Sequence, residues 1–165
     1  MTTPKIFQVV GYKNSGKTTL ICHLIQEWSH KGFRIGTIKH DGHDFELDIA
    51  ETDTWKHRKA GAHQIAITSK QKTAIFKQQP TELSHLIQMM SDLDILIVEG
   101  FKQANYQKVL MTKTKEDLSL LQHLTNVIAI VSWFPLKHPS LPVWNISELE
   151  GLSNYLMQRL SEVYL

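Results

Sequence analysis

The chain lacks most of the features that would assign it to a class at a glance. It has one cysteine, Cys22, in 165 residues, so no disulfide can close within it and a disulfide-stapled secreted scaffold is excluded. No apolar run approaches the ~20 residues that a membrane-crossing helix requires. The opening stretch Met1–Lys5 leads straight into a short strand-like segment rather than a signal-type apolar region. A cytoplasmic protein with no membrane partner is therefore expected. Dense blocks of Lys and Arg are also missing. With a formal net charge of +2, nothing in the charge points to a nucleic acid. Arginine is rare, occurring only as Arg34, Arg58 and Arg159. No internal repeat or interdomain linker interrupts the chain, and a single domain over 1–165 is expected.

What is present is the composition of a folded protein, 42% hydrophobic and 21% charged, on a chain long enough to bury a core. Ile6–Val10 is a short apolar run stopped by Gly11 and reads as a buried strand. Leu20, Ile21, Leu24, Ile25 and Trp28 then recur at helical spacing until Gly32. Cys22 falls within that helix and is expected to be a buried, inert thiol. A second strand is expected over 34–39, a polar loop over 40–48, and a polar helix over 52–59. Two short strands over 63–68 and 73–77 are joined by a polar turn. A helix marked by Leu83, Leu86, Ile87 and Met90 follows. Ile95–Val98 is the most apolar strand, and 109–112 and 127–131 are further strands with a short helix between them. A connection punctuated by Pro135, Pro139 and Pro142 leads to a last helix from about Ile146. Strands alternating with helices, the early ones continuously apolar, imply a parallel sheet covered on both faces.

One motif carries chemistry outright. Gly11-Tyr12-Lys13-Asn14-Ser15-Gly16-Lys17-Thr18 satisfies G-x-x-x-x-G-K-[ST] between a strand and a helix, the context that makes a phosphate-binding P-loop. The glycines let backbone N–H groups turn inward on phosphate oxygens, and the helix adds the positive end of its dipole. In this reading Lys17 reaches the β- and γ-phosphates, Thr18 ligates magnesium, and Thr19 meets the α-phosphate. The expected fold is thus a three-layer α/β P-loop NTPase, its sheet mostly parallel with helices on both faces and some antiparallel edge strands.

A P-loop needs an acid at the end of a neighbouring strand to anchor its metal. Glu99 closes the Ile95–Val98 strand and is the candidate, as metal anchor and catalytic acid, whereas Asp92 and Asp94 sit at the opposite end. The loop after the second strand, Lys39-His40-Asp41-Gly42-His43-Asp44, leaves the same edge. Asp41 is a catalytic candidate that can hold magnesium or position a water. Lys39, His40 and His43, with Arg58 farther on, are candidates for a second anionic ligand. A transition-metal site from His40, His43 and Asp44 and a plain solvated loop are the competing readings.

Several segments together resemble the molybdopterin-guanine dinucleotide biosynthesis adapter family, MobB. They are Val10–Leu20; Thr37-Ile38-Lys39-His40 with His43-Asp44-Phe45; Arg58-Lys59-Ala60-Gly61-Ala62; and Val98-Glu99-Gly100-Phe101-Lys102. The resemblance implies a GTP- and magnesium-binding protein of slow intrinsic turnover, usually a homodimer. It would assist the guanylyltransferase that joins GMP to molybdopterin, with molybdopterin itself a candidate ligand. The stretch Tyr106–Leu110 and the segment between Asp48 and Thr54 depart from the family pattern. GTP rests on the resemblance: an Asn-Lys-x-Asp base-recognition motif is absent, and Thr112-Lys113-Thr114-Lys115 is a poor substitute. The alternative is a small-molecule kinase, which usually needs a lid bearing arginines. A GTPase metallochaperone would need better metal ligands than His40 and His43.

Overall fold

A computed structural model describes residues 3–42, 44–46 and 48–162. The chain divides into two compact units, one formed by Met1–His40 with Ile87–Leu165 and the other by Asp41–Leu86.

The first unit is built on a six-stranded parallel sheet. In chain order its strands are β1 (Lys5–Val10), β2 (Ile35–Lys39), β5 (Ile95–Glu99), β6 (Gln107–Thr112), β7 (Val127–Ser132) and β8 (Val143–Asn145). Side by side they run β2-β5-β1-β6-β7-β8, with every pairing parallel. Successive strand residues point to opposite faces, so a strand covered on both sides must be apolar at nearly every position. β1 obeys this: everything after Lys5 is buried. One face is packed by α1 (Lys17–His30) and α4 (Leu149–Glu162). There Phe7, Val9, Ile97, Val109 and Met111 join Leu20, Leu24 and Trp28 of α1 and Leu152 and Leu156 of α4. Trp28 stands edge-on to Phe7, ring centroids 5.7 Å apart, and its buried indole N–H donates to Ser153 Oγ at 2.8 Å. On the other face Val10, Leu110 and Ile130 pack with Leu120 of a 3-10 helix, Lys115–His123. Each such side chain, fully buried, contributes roughly 1.5–3 kcal/mol.

The second unit holds α2 (Asp53–Lys59) and a separate antiparallel hairpin of β3 (Gln64–Thr68) and β4 (Thr73–Lys77). The antiparallel strands thus form their own two-stranded sheet. The helix α3 (Leu83–Met89) lies across the division between the units. Thr52 caps α2 by accepting from the Trp55 N–H.

Two sequence expectations change. Cys22 is exposed, because the buried stripe of α1 runs through Leu20, Ile21, Leu24 and Trp28. One helical step carries residue 22 some 100° round from residue 21, out of that stripe. The proline-punctuated connection contains the strand β8, too short for its periodicity to register. It pairs with β7 at the sheet edge, where the carbonyl of Pro142 accepts from Ile130, and α4 starts at Leu149.

The sheet also buries polar groups with partners. Lys108, fully buried in β6, donates from Nζ to the carbonyls of Ala104 at 2.6 Å and Tyr106 at 3.1 Å. Burial pushes its pKa down. Gln8, fully buried in β1, donates from Nε2 to the carbonyls of Gly100 at 2.9 Å and Phe101 at 2.8 Å and accepts from the Tyr106 N–H. Those bonds hold a turn in which Gly100 and Phe101 both have positive φ, 87° and 49°. For a phenylalanine this is a sparsely populated conformation that its surroundings must impose. Gln8→Leu strands buried carbonyls without donors and is expected to cost about 1–3 kcal/mol in urea unfolding. A loss under about 0.5 kcal/mol would show that water replaces Gln8 there.

Candidate nucleotide-binding site

The carboxyl edge of the sheet is where an open α/β fold binds ligands, and β1 delivers Gly11 to that edge. A Cβ on Gly11 would stand 2.6 Å from Ser15 Oγ and 2.8 Å from the carbonyl oxygen of Met111, so no side chain fits. Asn14 (φ 62°) and Gly16 (φ 95°) take left-handed backbone. Between them they reverse the chain into α1, whose first-turn N–H groups have no intrahelical acceptors. That turn contains no acidic residue of its own to offset the positive end of the helix dipole. Ser15 Oγ is buried without a hydrogen-bond partner. A cradle closed to any Cβ, an orphaned hydroxyl and a helix N-terminus together fit a phosphate group.

Around the cradle the register sets one acid among lysines. Val9 pairs with Glu99 and Lys39 pairs with Glu99, so β1, β5 and β2 present these residues level with one another. Lys17 donates to the carbonyls of Tyr12 at 2.8 Å and Gly11 at 3.4 Å. Its pKa is pushed down, first by burial and then by the charges of Lys102 and Lys39, while Glu99 opposes the shift. Lys102 rests its ammonium 4.9 Å from the centroid of the Tyr12 ring. Three ammonium groups thus face one carboxylate, an imbalance that suits a polyanion bound with a divalent cation. Thr18 and Thr19 are exposed in the first turn of α1, and Lys13 and Asn14 are exposed on the loop. His40 extends the ladder by donating its N–H to the Glu99 carbonyl at 3.0 Å, and its ring meets Phe101 edge-on at 4.8 Å.

The remaining candidates belong to the second unit. Asp41 and Asp44 are exposed there, and His43 lies outside the described residues. Arg58 donates from its guanidinium to Glu46, at 3.1 and 2.8 Å, and lies 3.5 Å from Asp48 Oδ2 in an ion pair, so its charge is matched by two carboxylates. Among the described residues, no three His, Cys, Asp or Glu side chains gather as metal ligands. The Thr112–Lys115 segment serves as a helix start. Asp117 accepts from the backbone N–H groups of Lys113 at 2.7 Å and Thr114 at 3.0 Å.

Sequence reasoning overlooked three residues at this edge. Lys102 stood within a quoted motif but received no role, and Gln8 read as one more strand residue. Trp133 donates its indole N–H to the Ser15 carbonyl at 2.9 Å across a separation that no local pattern reveals. Elsewhere in the first unit, a groove of about 630 Å³ opens between α1 and the β8–α4 turn, lined by His23, Trp144, Ser147 and Glu148 among others. No P-loop residue lines it.

A parallel sheet whose first strand feeds this cradle, with an acid ending the adjacent strand, defines a nucleotide-binding protein of the P-loop NTPase fold. Within that class, residues 6–133 match the family described as Molybdopterin guanine dinucleotide synthesis protein B, MobB, and the chain belongs to it. It is 35% identical over 164 residues to a probable molybdopterin-guanine dinucleotide biosynthesis adapter protein of Bacillus subtilis, covering 95% of this chain and 94% of that one. To the molybdopterin-guanine dinucleotide biosynthesis adapter protein of Escherichia coli it is 34% identical, covering 90% and 89%. The crystal structure of Bacillus subtilis MobB superposes with a TM-score of 0.78 at 32% identity, covering 93% of this chain and 96% of that one.

The opposition between burial and Glu99 at Lys17 has a measurable consequence. Lys17 loses its charge as pH rises through its lowered pKa, and anion affinity falls with it. Glu99→Gln removes the charge that opposes the shift. In calorimetric titrations with inorganic tripolyphosphate without metal, the variant is expected to bind more tightly at neutral pH, since a facing carboxylate is gone. Its alkaline loss of affinity is expected to begin at lower pH. Superimposable pH profiles would uncouple the two residues.

Proposed function

We propose that the chain is a GTP-binding adapter in molybdopterin guanine dinucleotide biosynthesis, assisting the guanylyltransferase that attaches GMP to molybdopterin. Membership of the MobB family supports the pathway, and the relatives' names supply the adapter role. The observation that carries nucleotide binding is the cradle at Gly11 with Lys17 and Glu99 beside it. In this reading Gly11–Thr18 wraps the β- and γ-phosphates, Lys17 neutralises them, and Thr19 meets the α-phosphate. Thr18 and Glu99 would hold magnesium, which when bound offsets the phosphates' charge. Asp41 orients a water. Lys39, His40 and His43 receive the anionic part of a second ligand such as molybdopterin. Arg58 is already matched by Glu46 and Asp48, so its charge serves that local pairing rather than the ligand. Guanine is favoured over adenine by the family's guanine-containing product alone.

The positions of the arginines support weak hydrolysis. Arg34 pairs with Asp92 and Asp94 at the amino ends of β2 and β5, the edge opposite the cradle. Arg159 lies in the last turn of α4, a helix that starts at the carboxyl edge and runs away from it. Neither is an arginine finger, a group worth ~10³–10⁵ in rate, and neither closes a kinase-like lid. The adapter acts in the cytoplasm as a homodimer. Among the described residues, no helix is long and apolar enough to cross a membrane.

Calorimetric titration with GTP and ATP, each with and without magnesium, tests this reading, and a pull-down with the guanylyltransferase tests the adapter role. Tighter, magnesium-dependent binding of GTP and capture of the enzyme are expected. A preference for ATP, or no capture with or without nucleotide, would overturn the proposal. Lys17→Ala removes a charge-assisted contact expected to be worth about 1.5–3 kcal/mol, roughly a 10- to 100-fold rise in the Kd for GTP. Turnover of the isolated protein is expected to be slow, and rapid GTP hydrolysis without a partner would count against an adapter.

A further inference from the structure

The P-loop accounts for the phosphates of a nucleotide and leaves the base without a partner. On the β5 side of β1 stands Glu99, the acid that with Thr18 would hold the metal. The other side of β1, over the ends of β6 and β7, is then the side left for the α-phosphate and the nucleoside. That edge carries Trp133. Its backbone N–H donates to the carbonyl of Thr112 at 3.1 Å, and its indole N–H donates to the carbonyl of Ser15 at 2.9 Å. The ring lies close against Gly16, where a Cβ would come within 3.0 Å of Cζ2. The neighbouring turn is locked as well: Ser132 Oγ donates to the Phe134 carbonyl at 2.8 Å and accepts from the Phe134 N–H at 3.2 Å. An indole pinned at both backbone and ring is rigid, so little order is lost when something stacks on it.

Rigidity alone would suit a buried brace, yet Trp133 is 45% exposed. The Lys113 ammonium stands over its ring, 5.9 Å from the centroid, a cation–π contact that leaves the ring partly open to solvent and that an arriving base would share or displace. A large apolar ring held open to solvent beside the α-phosphate end of a P-loop has the chemistry of a base platform, since every nucleobase offers a π face to an aromatic side chain. We propose that the partly exposed indole of Trp133, fixed to the P-loop through Ser15, is the stacking platform for the purine base. This rests on the reading of Gly11–Thr18 as a triphosphate site and adds to it the group that holds the nucleoside. Stacking secures the base without reading its hydrogen-bonding edge, so Trp133 confers affinity for nucleotides over bare polyphosphate and does not itself choose guanine.

The test compares GTP with inorganic tripolyphosphate, both with magnesium, on the wild type, Trp133→Leu and Trp133→Phe, by calorimetry and tryptophan fluorescence. Stacking predicts that Trp133→Leu weakens GTP roughly 5- to 100-fold and leaves tripolyphosphate within about twofold. Trp133→Phe, which keeps a ring but loses the bond to Ser15, is expected to retain most of the GTP affinity. GTP, and not tripolyphosphate, is expected to quench emission in the wild type, with the quench lost in Trp133→Phe. If both ligands weaken together, and Phe is as poor as Leu, Trp133 is only a brace and the platform is overturned. Wild-type protein that binds tripolyphosphate as tightly as GTP also overturns the platform, while the P-loop reading stands. Wild-type protein that binds neither ligand overturns the P-loop reading and the platform with it.

Discussion

The level alignment of Val9, Glu99 and Lys39 across three parallel strands is the constraint from which the rest of the site follows. A shift of one residue in the β1–β5 ladder would turn Glu99 to the opposite face of the sheet, away from Lys17, and a shift in the β2–β5 ladder would turn Lys39 away from Glu99. The register is kept by side chains far from any ligand. Phe7 and Ile97 are level on one face and pack against α1 and α4, while Gln8 ties down the turn that leaves β5. Packing and polar bonding thus agree on one alignment. Agreement of that kind makes a site reproducible to the few tenths of an ångström that phosphate and metal chemistry need.

The electrostatics of that edge are balanced rather than maximised. Lys17 is disfavoured as a cation by burial and by two other ammonium groups, and Glu99 offsets part of that cost. An anion arriving at the cradle relieves the repulsion among the lysines, and a divalent cation beside Glu99 would relieve the carboxylate's conflict with phosphate. In the second unit Arg58 is matched by Glu46 and Asp48, a pairing that spends its charge on local order.

What could be read from the sequence was what is local in the chain. The P-loop is eight consecutive residues, and Glu99 is the end of an unbroken apolar strand, so both were visible without any tertiary knowledge. The parallel sheet followed from the alternation of elements, and the hairpin from two short runs around a polar turn. β8 escaped because three residues carry no period. Cys22 was misjudged because a free thiol was treated as a small hydrophobe, whereas burial on a helix depends on the angle at which a residue stands. Trp133 and Gln8 were illegible for a deeper reason. Their partners lie 118 and more than 90 residues away, and only the completed sheet brings them together. Lys102 was in plain view within a quoted motif, but its significance depends on a neighbour, Tyr12, at the far end of β1 from the chain's own viewpoint.

The exposure of Cys22 has a practical side. It is the sole thiol in the chain and sits on the solvent-facing side of α1, one turn past Thr18. A maleimide dye or a nitroxide would therefore attach at a single position without mutagenesis. Mounted on the helix whose N-terminus forms the cradle, such a label would report events at that end by changes in emission or spin mobility. The wild-type polypeptide comes ready for site-specific spectroscopy.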